Sequence, residues 1–315
     1  MNKIPIIQYL PLTRPKATKL FTQRLNNSNI MVILDLEDSA QDPFSIENTD
    51  QLKIQARNGL DSISKDSSFK PKCKTYLRIN GLNTKYFEDD IKAAISAFKN
   101  NIAISGIFVP KVEDYFSIQE INSRFSHLDF NLEIIPMIET MKGINNLPSI
   151  LESDKKKNIF SRIHYGHFDY CLDAKVWPFT DPYHMEFWEV IKNVAELVEK
   201  HKKTYIHTPF PFPENENLFW ASSFYLKELF PALDIWICAL NSELSLSSQP
   251  DIAPSLLFND YDTSHINQLK EAKVICKDFL SGKANKRSFS VSNGRFIPPH
   301  QYYAAENYLK NLKLK

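Results

Sequence analysis

Ile30-Met31-Val32-Ile33-Leu34-Asp35-Leu36-Glu37-Asp38-Ser39-Ala40 begins as an unbroken apolar run and ends in acids. A run of strand length without alternation fits a strand buried on both faces, as in a parallel sheet covered by helices. The same kind of run recurs along the chain, at residues 4–10, 30–36, 75–80, 106–109, 132–138, 159–165, 204–206 and 234–240. Helical spacing fills the gaps. Ile91, Ala94, Ile95 and Phe98 share one helix face, as do Phe187, Val190, Ile191, Val194 and Val198 in a helix expected to end near His201. Strands alternating with helices in this way predict an α/β fold, a (β/α)8 TIM barrel.

After the eighth run the pattern changes. Residues 249–263 read as loop, and a helix follows with Ile266, Leu269, Ala272, Ile275, Cys276 and Phe279 on one face. Residues 281–287 form a polar break, 289–299 a short hairpin or extended arm, and 299–312 a last helix. The expected organisation is a catalytic barrel over 1–248 and a C-terminal helical extension over 249–315, packing on the barrel or on a neighbouring subunit.

Composition narrows the function. The chain has 315 residues, 43% hydrophobic and 24% charged, with formal net charge +1, which is ordinary for a globular protein. The balanced charge argues against a nucleic-acid or anionic-membrane binder. No apolar stretch approaches the roughly 20 residues that span a bilayer. Residues 1–10 lack a signal pattern, so a cytoplasmic location is expected. Cys73, Cys171, Cys238 and Cys276 form no CxxC pair, which disfavours zinc ribbons and disulfide scaffolds. With 7 glycines and neither GxGxxG nor GxxxxGK[ST], the chain lacks the phosphate cradles of common nucleotide enzymes.

In a barrel, chemistry sits where strands end at their C-terminal face. Charge appears there after four runs: Asp35-Leu36-Glu37-Asp38, Arg78-Ile79-Asn80, Glu139-Thr140 and Gly166-His167-Phe168-Asp169. Glu139 and Asp169 are the natural pair for Mg2+, with Mn2+ as a substitute, since hard cations take carboxylates and water. Gly166 permits a tight turn facing an anionic substrate. Arg78 offers a planar fork to a carboxylate or enolate oxygen. Each has a plainer reading: Asp38 as a helix N-cap, Arg78 as a structural ion-pair partner.

At these residues the chain resembles the HpcH/HpaI aldolase and citrate lyase β-subunit family. The stretch from Leu34 to Ala40 is similar to that family's acidic signature, and Leu77-Arg78-Ile79-Asn80 to its arginine motif. Gly106-Ile107-Phe108-Val109-Pro110-Lys111-Val112-Glu113 resembles its Pro-Lys motif. Ile138-Glu139-Thr140 with Gly143, and Gly166-His167-Phe168-Asp169, resemble its metal-glutamate and metal-aspartate motifs. All five stand in family order.

The resemblance implies a Mg2+-dependent carbon–carbon lyase or aldolase acting through an enolate on a hydroxy or keto acid or its CoA thioester. Glu139 and Asp169 would hold the metal and Arg78 would steady the enolate. Glu37 and Asp38 would shape the mouth and assist proton transfer. Gly166, His167 and Lys16 (in Thr13-Arg14-Pro15-Lys16) would contact substrate. A homo-oligomer, with a trimer favoured, is also implied.

The chain departs from the pattern in two places. Ile206-His207-Thr208-Pro209-Phe210 replaces the family's Asp-aromatic turn, and residues 234–242 lack its His-Pro. These changes keep open a thioester hydrolase, a specialised biosynthetic enzyme on the same metal site, or a non-catalytic barrel subunit.

Other groups read more modestly. His164 and His167 should face opposite sides of their strand. His207 is either a general base or a pocket wall, and Cys171 reads as a buried thiol. Pro209-Phe210-Pro211-Phe212-Pro213 reads as a stiff loop over the mouth or at an interface.

Overall fold

The computed structural model describes residues 3–25, 30–100, 102–128, 132–240, 249–258, 267–284, 289–292 and 294–313. Eight parallel strands close on themselves in sequential order: β1 (Ile6–Pro11), β2 (Ile30–Asp35), β3 (Lys74–Arg78), β4 (Gly106–Val109), β5 (Glu133–Ile138), β6 (Arg162–Tyr165), β7 (Thr204–His207) and β8 (Ile235–Ala239). Helices cross between them: α1 (Pro15–Arg24), α2 (Ile46–Ser64), α3 (Phe87–Lys99), α4 (Tyr115–Phe125), α5 (Met141–Asp154), α6 (His167–Asp173), α7 (Met185–Lys200) and α8 (Glu216–Leu229). Beyond the barrel lie α9 (Gln268–Ala284), a two-stranded hairpin of β9 (Ser290–Ser292) and β10 (Arg295–Ile297), and α10 (Pro299–Lys313). The fold is the expected TIM barrel with a helical extension.

Strand parity sorts the side chains. On β2, Met31 and Ile33 point inward while Val32 and Leu34 pack outward against the helices. The lumen is filled by Ile7, Ile33, Tyr76, Phe108, Met137 and Trp236 among others, so it is a packed core and not a pore. Glu133 and Arg162 pair across the N-terminal end of the lumen, where the Tyr76 hydroxyl also donates to Glu133.

Strand ends differ from the sequence reading by a few residues, for local reasons. The run 75–80 was expected to be strand throughout, but the ladder stops at Arg78. Asn80 turns aside because its backbone N–H and its amide both donate to Asp90 Oδ2, at 2.8 and 2.6 Å. The helix caps are conventional: Ser45 accepts from Asn48 N, Asp114 from Ser117 N and Thr140 from Gly143 N. Asp38 is not a cap. It opens a short 3-10 turn (Asp38–Ala40) with its carboxylate on Arg78.

The C-terminal elements share an apolar cluster of Ala272, Ile275, Phe279, Ile297, Tyr302 and Ala305. They seat on loops at the C-terminal face of the same chain's barrel. Phe44, after β2, packs on Phe279 and Tyr302 with ring centroids 5.7 and 5.6 Å away, and Tyr303 Oη donates to Pro43 O. Trp177, after β6, stacks on Tyr308 at 5.8 Å. Phe296 N donates to Pro211 O at 2.7 Å, joining the hairpin to the proline-phenylalanine loop after β7. The expected boundary at 248/249, residues 259–263 of the expected loop, Ile266 of the expected helix face and residues 285–287 of the polar break lie outside the described residues. Residues 254–258 form a 3-10 turn.

Candidate active site

Asp35 and Arg78 end neighbouring strands, paired in register. Asp35 keeps the inward parity of Met31 and Ile33, so its carboxylate meets the guanidinium within the barrel. Arg78 Nε and Nη2 each lie 2.7 Å from one Asp35 oxygen. That two-pronged grip fixes the plane of the fork, and the Tyr9 ring covers its face with the centroid 4.4 Å from Cζ. Arg78 Nη1 reaches outward to Glu37 at 2.8 Å and Asp38 at 3.1 Å. Asp35 also accepts the N–H groups of Glu37 and Ser39, at 2.9 and 3.0 Å. Burial works against its charge, but Arg78 holds its carboxyl below the usual range.

Glu139 follows β5 and is buried. Its Oε1 accepts Lys111 N at 2.9 Å. Lys111 has φ 53°, a left-handed conformation uncommon for a side-chain-bearing residue, and its N–H is aimed at the glutamate. Gly166 leaves room for the same carboxylate: a Cβ there would lie 2.4 Å from Glu139 Oε2 and 2.8 Å from its Cβ. Glycine is needed here for space, since its φ is an ordinary −108°.

Asp169 projects from the first turn of α6. Its Oδ1 pairs with Lys111 Nζ at 3.0 Å and its Oδ2 with His300 Nε2, on α10, at 3.2 Å. Burial opposes its charge, yet His300 and Lys111 bring its carboxyl below the usual range. Burial likewise works against a charged His300, but Asp169 lifts its imidazole to about 9. Glu139 goes the other way: burial, then the neighbouring Asp169 and Glu37, hold its carboxyl well above the ordinary value. Burial and the adjacent Asp38 raise Glu37 to about 7.

The mouth therefore gathers Glu37, Asp38, Arg78, Glu139, Gly166 and Asp169 from four separated strand ends. It does not gather all the groups expected there. His167 was expected to contact substrate, but its ring turns outward from the barrel. Nδ1 lies 2.8 Å from Tyr165 Oη, Nε2 lies 2.9 Å from Thr180 O and 3.2 Å from Cys171 Sγ, and Phe187 packs edge-on at 4.7 Å. The chain leaves the strand at Gly166, so inward parity ends there. His207 also points outward, stacked on Trp188 at 6.1 Å, and is buried away from the mouth. Lys16 is exposed on the first turn of α1. Cys171 is a buried thiol that burial pushes up to about 12. His164 lines the lumen, with Nδ1 3.4 Å from Tyr9 Oη.

A divalent cation suits this chemistry. Carboxylates from the β2, β5 and β6 ends face one another, and their mutual repulsion at Glu139 is what a bound cation would relieve. One ligand atom from each of Asp38, Asp169 and His300 lies within 4.8 Å of the others. Sequence reasoning passed over Asp35, Lys111 and His300. Parity could have found Asp35, and Lys111 stands within a motif already singled out. For His300, in the first turn of α10, the sequence carries no signal.

A closed parallel barrel with an acidic, arginine-bearing mouth at its C-terminal face places this chain among the (β/α)8 barrels. The profile of the HpcH/HpaI aldolase/citrate lyase family matches residues 7–221, and the chain belongs to that family. It is 25% identical over 173 residues to a citrate lyase subunit beta-like protein of Deinococcus radiodurans, a match over 55% of this chain and 50% of that one. The matched region thus spans about half the length of this curated relative.

Among solved structures, the citrate lyase beta subunit of M. tuberculosis complexed with oxaloacetate and magnesium superposes with TM-score 0.56 at 18% identity, covering 78% of this chain and 96% of that one. CitE from Mycobacterium tuberculosis in complex with magnesium, acetoacetate and coenzyme A gives TM-score 0.54 at 15% identity, covering 99% of both chains. These likenesses show a shared fold. Among the described residues no helix is long and apolar enough to cross a membrane.

Proposed function

We propose that this chain is a divalent-metal-dependent carbon–carbon lyase or aldolase acting on a small hydroxy or keto acid, or on its CoA thioester. The observation that carries the reading is the clustering at one barrel mouth of Arg78, which meets Glu37 and Asp38, with Glu139 and Asp169, which share Lys111. The magnesium, oxaloacetate, acetoacetate and coenzyme A bound by its structural relatives support the same class of ligand.

In this reading Glu139 and Asp169 hold Mg2+, or Mn2+ in its place. When bound, the cation supplies Lewis-acid stabilisation to a substrate oxygen that becomes negative as the bond breaks. Arg78, held rigid by Asp35 and Tyr9, offers its outward Nη1 to substrate carboxylate or enolate oxygen. It must give up Glu37 or Asp38 to do so, which leaves one of those carboxylates beside the substrate to take or return a proton. Lys111 pairs with Asp169 in the structure and would have to release that carboxylate for it to hold a cation. The described C-terminal elements, α9, the β9–β10 hairpin and α10, would act as a cover on this mouth and limit water at the reacting atoms.

The test is a product assay on a panel of hydroxy-keto acids and their CoA thioesters with and without Mg2+. Cleavage into two carbon fragments that stops on chelation, and falls by at least about 10²-fold in Glu139→Gln and Asp169→Asn, is the expected result. Full turnover in both variants would overturn the reading. Release of CoA with the carbon skeleton intact would make the enzyme a thioester hydrolase.

A further inference from the structure

We infer that His300, delivered by α10 of the same chain, is a nitrogen ligand that joins Asp38 and Asp169 around the bound ion. The mouth then favours transition-series divalent cations over Mg2+. This rests on the metal site proposed above.

Three segments distant in sequence bring these groups together: the turn after β2, the first turn of α6 and the first turn of α10. One ligand atom of each lies within 4.8 Å of the other two. His300 Nε2 already sits 3.2 Å from Asp169 Oδ2. Its Nδ1 is buried with no hydrogen-bond partner among the described residues. Nε2 is thus the ring nitrogen turned to the acidic cluster, and a bound cation would take the place of the proton it holds against Asp169, which would leave to solvent.

The placement of the imidazole does not depend on a loose tail. Tyr302, two residues on, stacks on Phe279 with centroids 4.8 Å apart. Tyr303 donates to Pro43 O, beside the turn that carries Asp38. Arg295, just before α10, reaches Asp181 at 3.6 Å and Phe179 O at 3.4 Å in the loop after α6. The same packing that closes the cover over the mouth thus sets the third donor.

The chemical consequence concerns selectivity. Mg2+ prefers oxygen ligands and gives up water reluctantly, whereas imidazole nitrogen suits the transition series. Adding the His300 imidazole to these carboxylates weights the site toward the latter. The all-oxygen pair of Glu139 and Asp169 alone would not do so.

The experiment uses the full chain and Mn2+ as the probe. Electron spin-echo modulation of bound Mn2+ is expected to show histidine nitrogen coupling, which changes on uniform 15N-histidine labelling and disappears in His300→Gln. Calorimetry is expected to show Mn2+ affinity falling about tenfold or more in His300→Gln, with Mg2+ affinity changing much less. The labelling readout needs no variant, so it stands even where His300→Gln loosens the cover. Mn2+ bound without nitrogen coupling, or with coupling retained in His300→Gln, would overturn the role of His300 and leave the carboxylate site intact. Failure to bind Mn2+ at all, or binding unchanged in both Glu139→Gln and Asp169→Asn, would overturn the metal site itself and this inference with it.

Discussion

Asp35 and Arg78 face each other across the β2–β3 ladder, and their side chains close a two-pronged ion pair with both contacts at 2.7 Å. Both are buried, and the guanidinium owes its fixed plane to this grip. Removing one charge of a buried pair leaves the other uncompensated, a loss of about 3–5 kcal/mol. Asp35→Asn keeps one acceptor oxygen, so the expected loss lies toward the lower figure. Urea denaturation measures it. Arg78→Lys should unfold at nearly the wild-type midpoint yet lose most activity, because an ammonium cannot grip Asp35 with two prongs and reach the substrate as well. If Arg78→Lys keeps wild-type turnover, the fork has no part in the chemistry.

A second relationship lies beneath the acidic turn. Lys53 on α2 is buried, and its ammonium donates to Leu36 O at 2.9 Å, Glu37 O at 2.6 Å and Asn80 Oδ1 at 2.7 Å. Asn80 in turn holds Asp90, which Arg57 meets at 3.0 Å. Lys53 thereby ties the backbone carrying Glu37 and Asp38 to the end of β3. Lys53→Met would leave Asn80 Oδ1 buried without its donor, while Leu36 O keeps Asn80 Nδ2 and Glu37 O keeps Ala40 N, at a cost of about 1–3 kcal/mol. With the acidic turn loosened, kcat should fall more than KM changes. A stability loss with kcat untouched would make Lys53 a structural residue alone.

How far the sequence disclosed this site follows from the range of each signal. Apolar runs are local, so all eight strands were legible from segments such as 30–36 and 106–109, with only their ends displaced where Asn80 or Gly166 leaves the ladder. Glu37, Asp38, Arg78, Glu139 and Asp169 were legible together because barrel closure sends every strand end to one mouth. Parity on β7 already turns His207 outward with Tyr205, opposite the inward Ile206, so its distance from the mouth was readable. The direction of His167 was not, because α6 begins at that residue and strand parity no longer applies. His300 was hidden for a different reason. Its position depends on how an entire extension folds back over loops after β2, β6 and β7, and no short-range pattern encodes that.

Acid should weaken this fold through two histidines sealed inside it. His164 in the lumen and His207 beneath α7 are buried, and burial holds both imidazoles down at about 3, from an ordinary 6.5. Arg78 adds to the effect at His164, and His167 adds to it at His207. Between those values the unfolded chain binds a proton that the folded chain refuses. Stability therefore rises with pH across this window and is lost as pH falls below about 6.5. Each ring should remove about 2 kcal/mol between pH 7 and pH 5. His207→Phe keeps the stacking shape on Trp188 and deletes the titration. Urea midpoints at the two pH values should then differ less than in the wild type, by that single ring's share. An unchanged acid slope in His207→Phe would mean that the folded protein admits the proton at His207, and that the ring is less sealed than its packing against Trp188 and Phe187 implies.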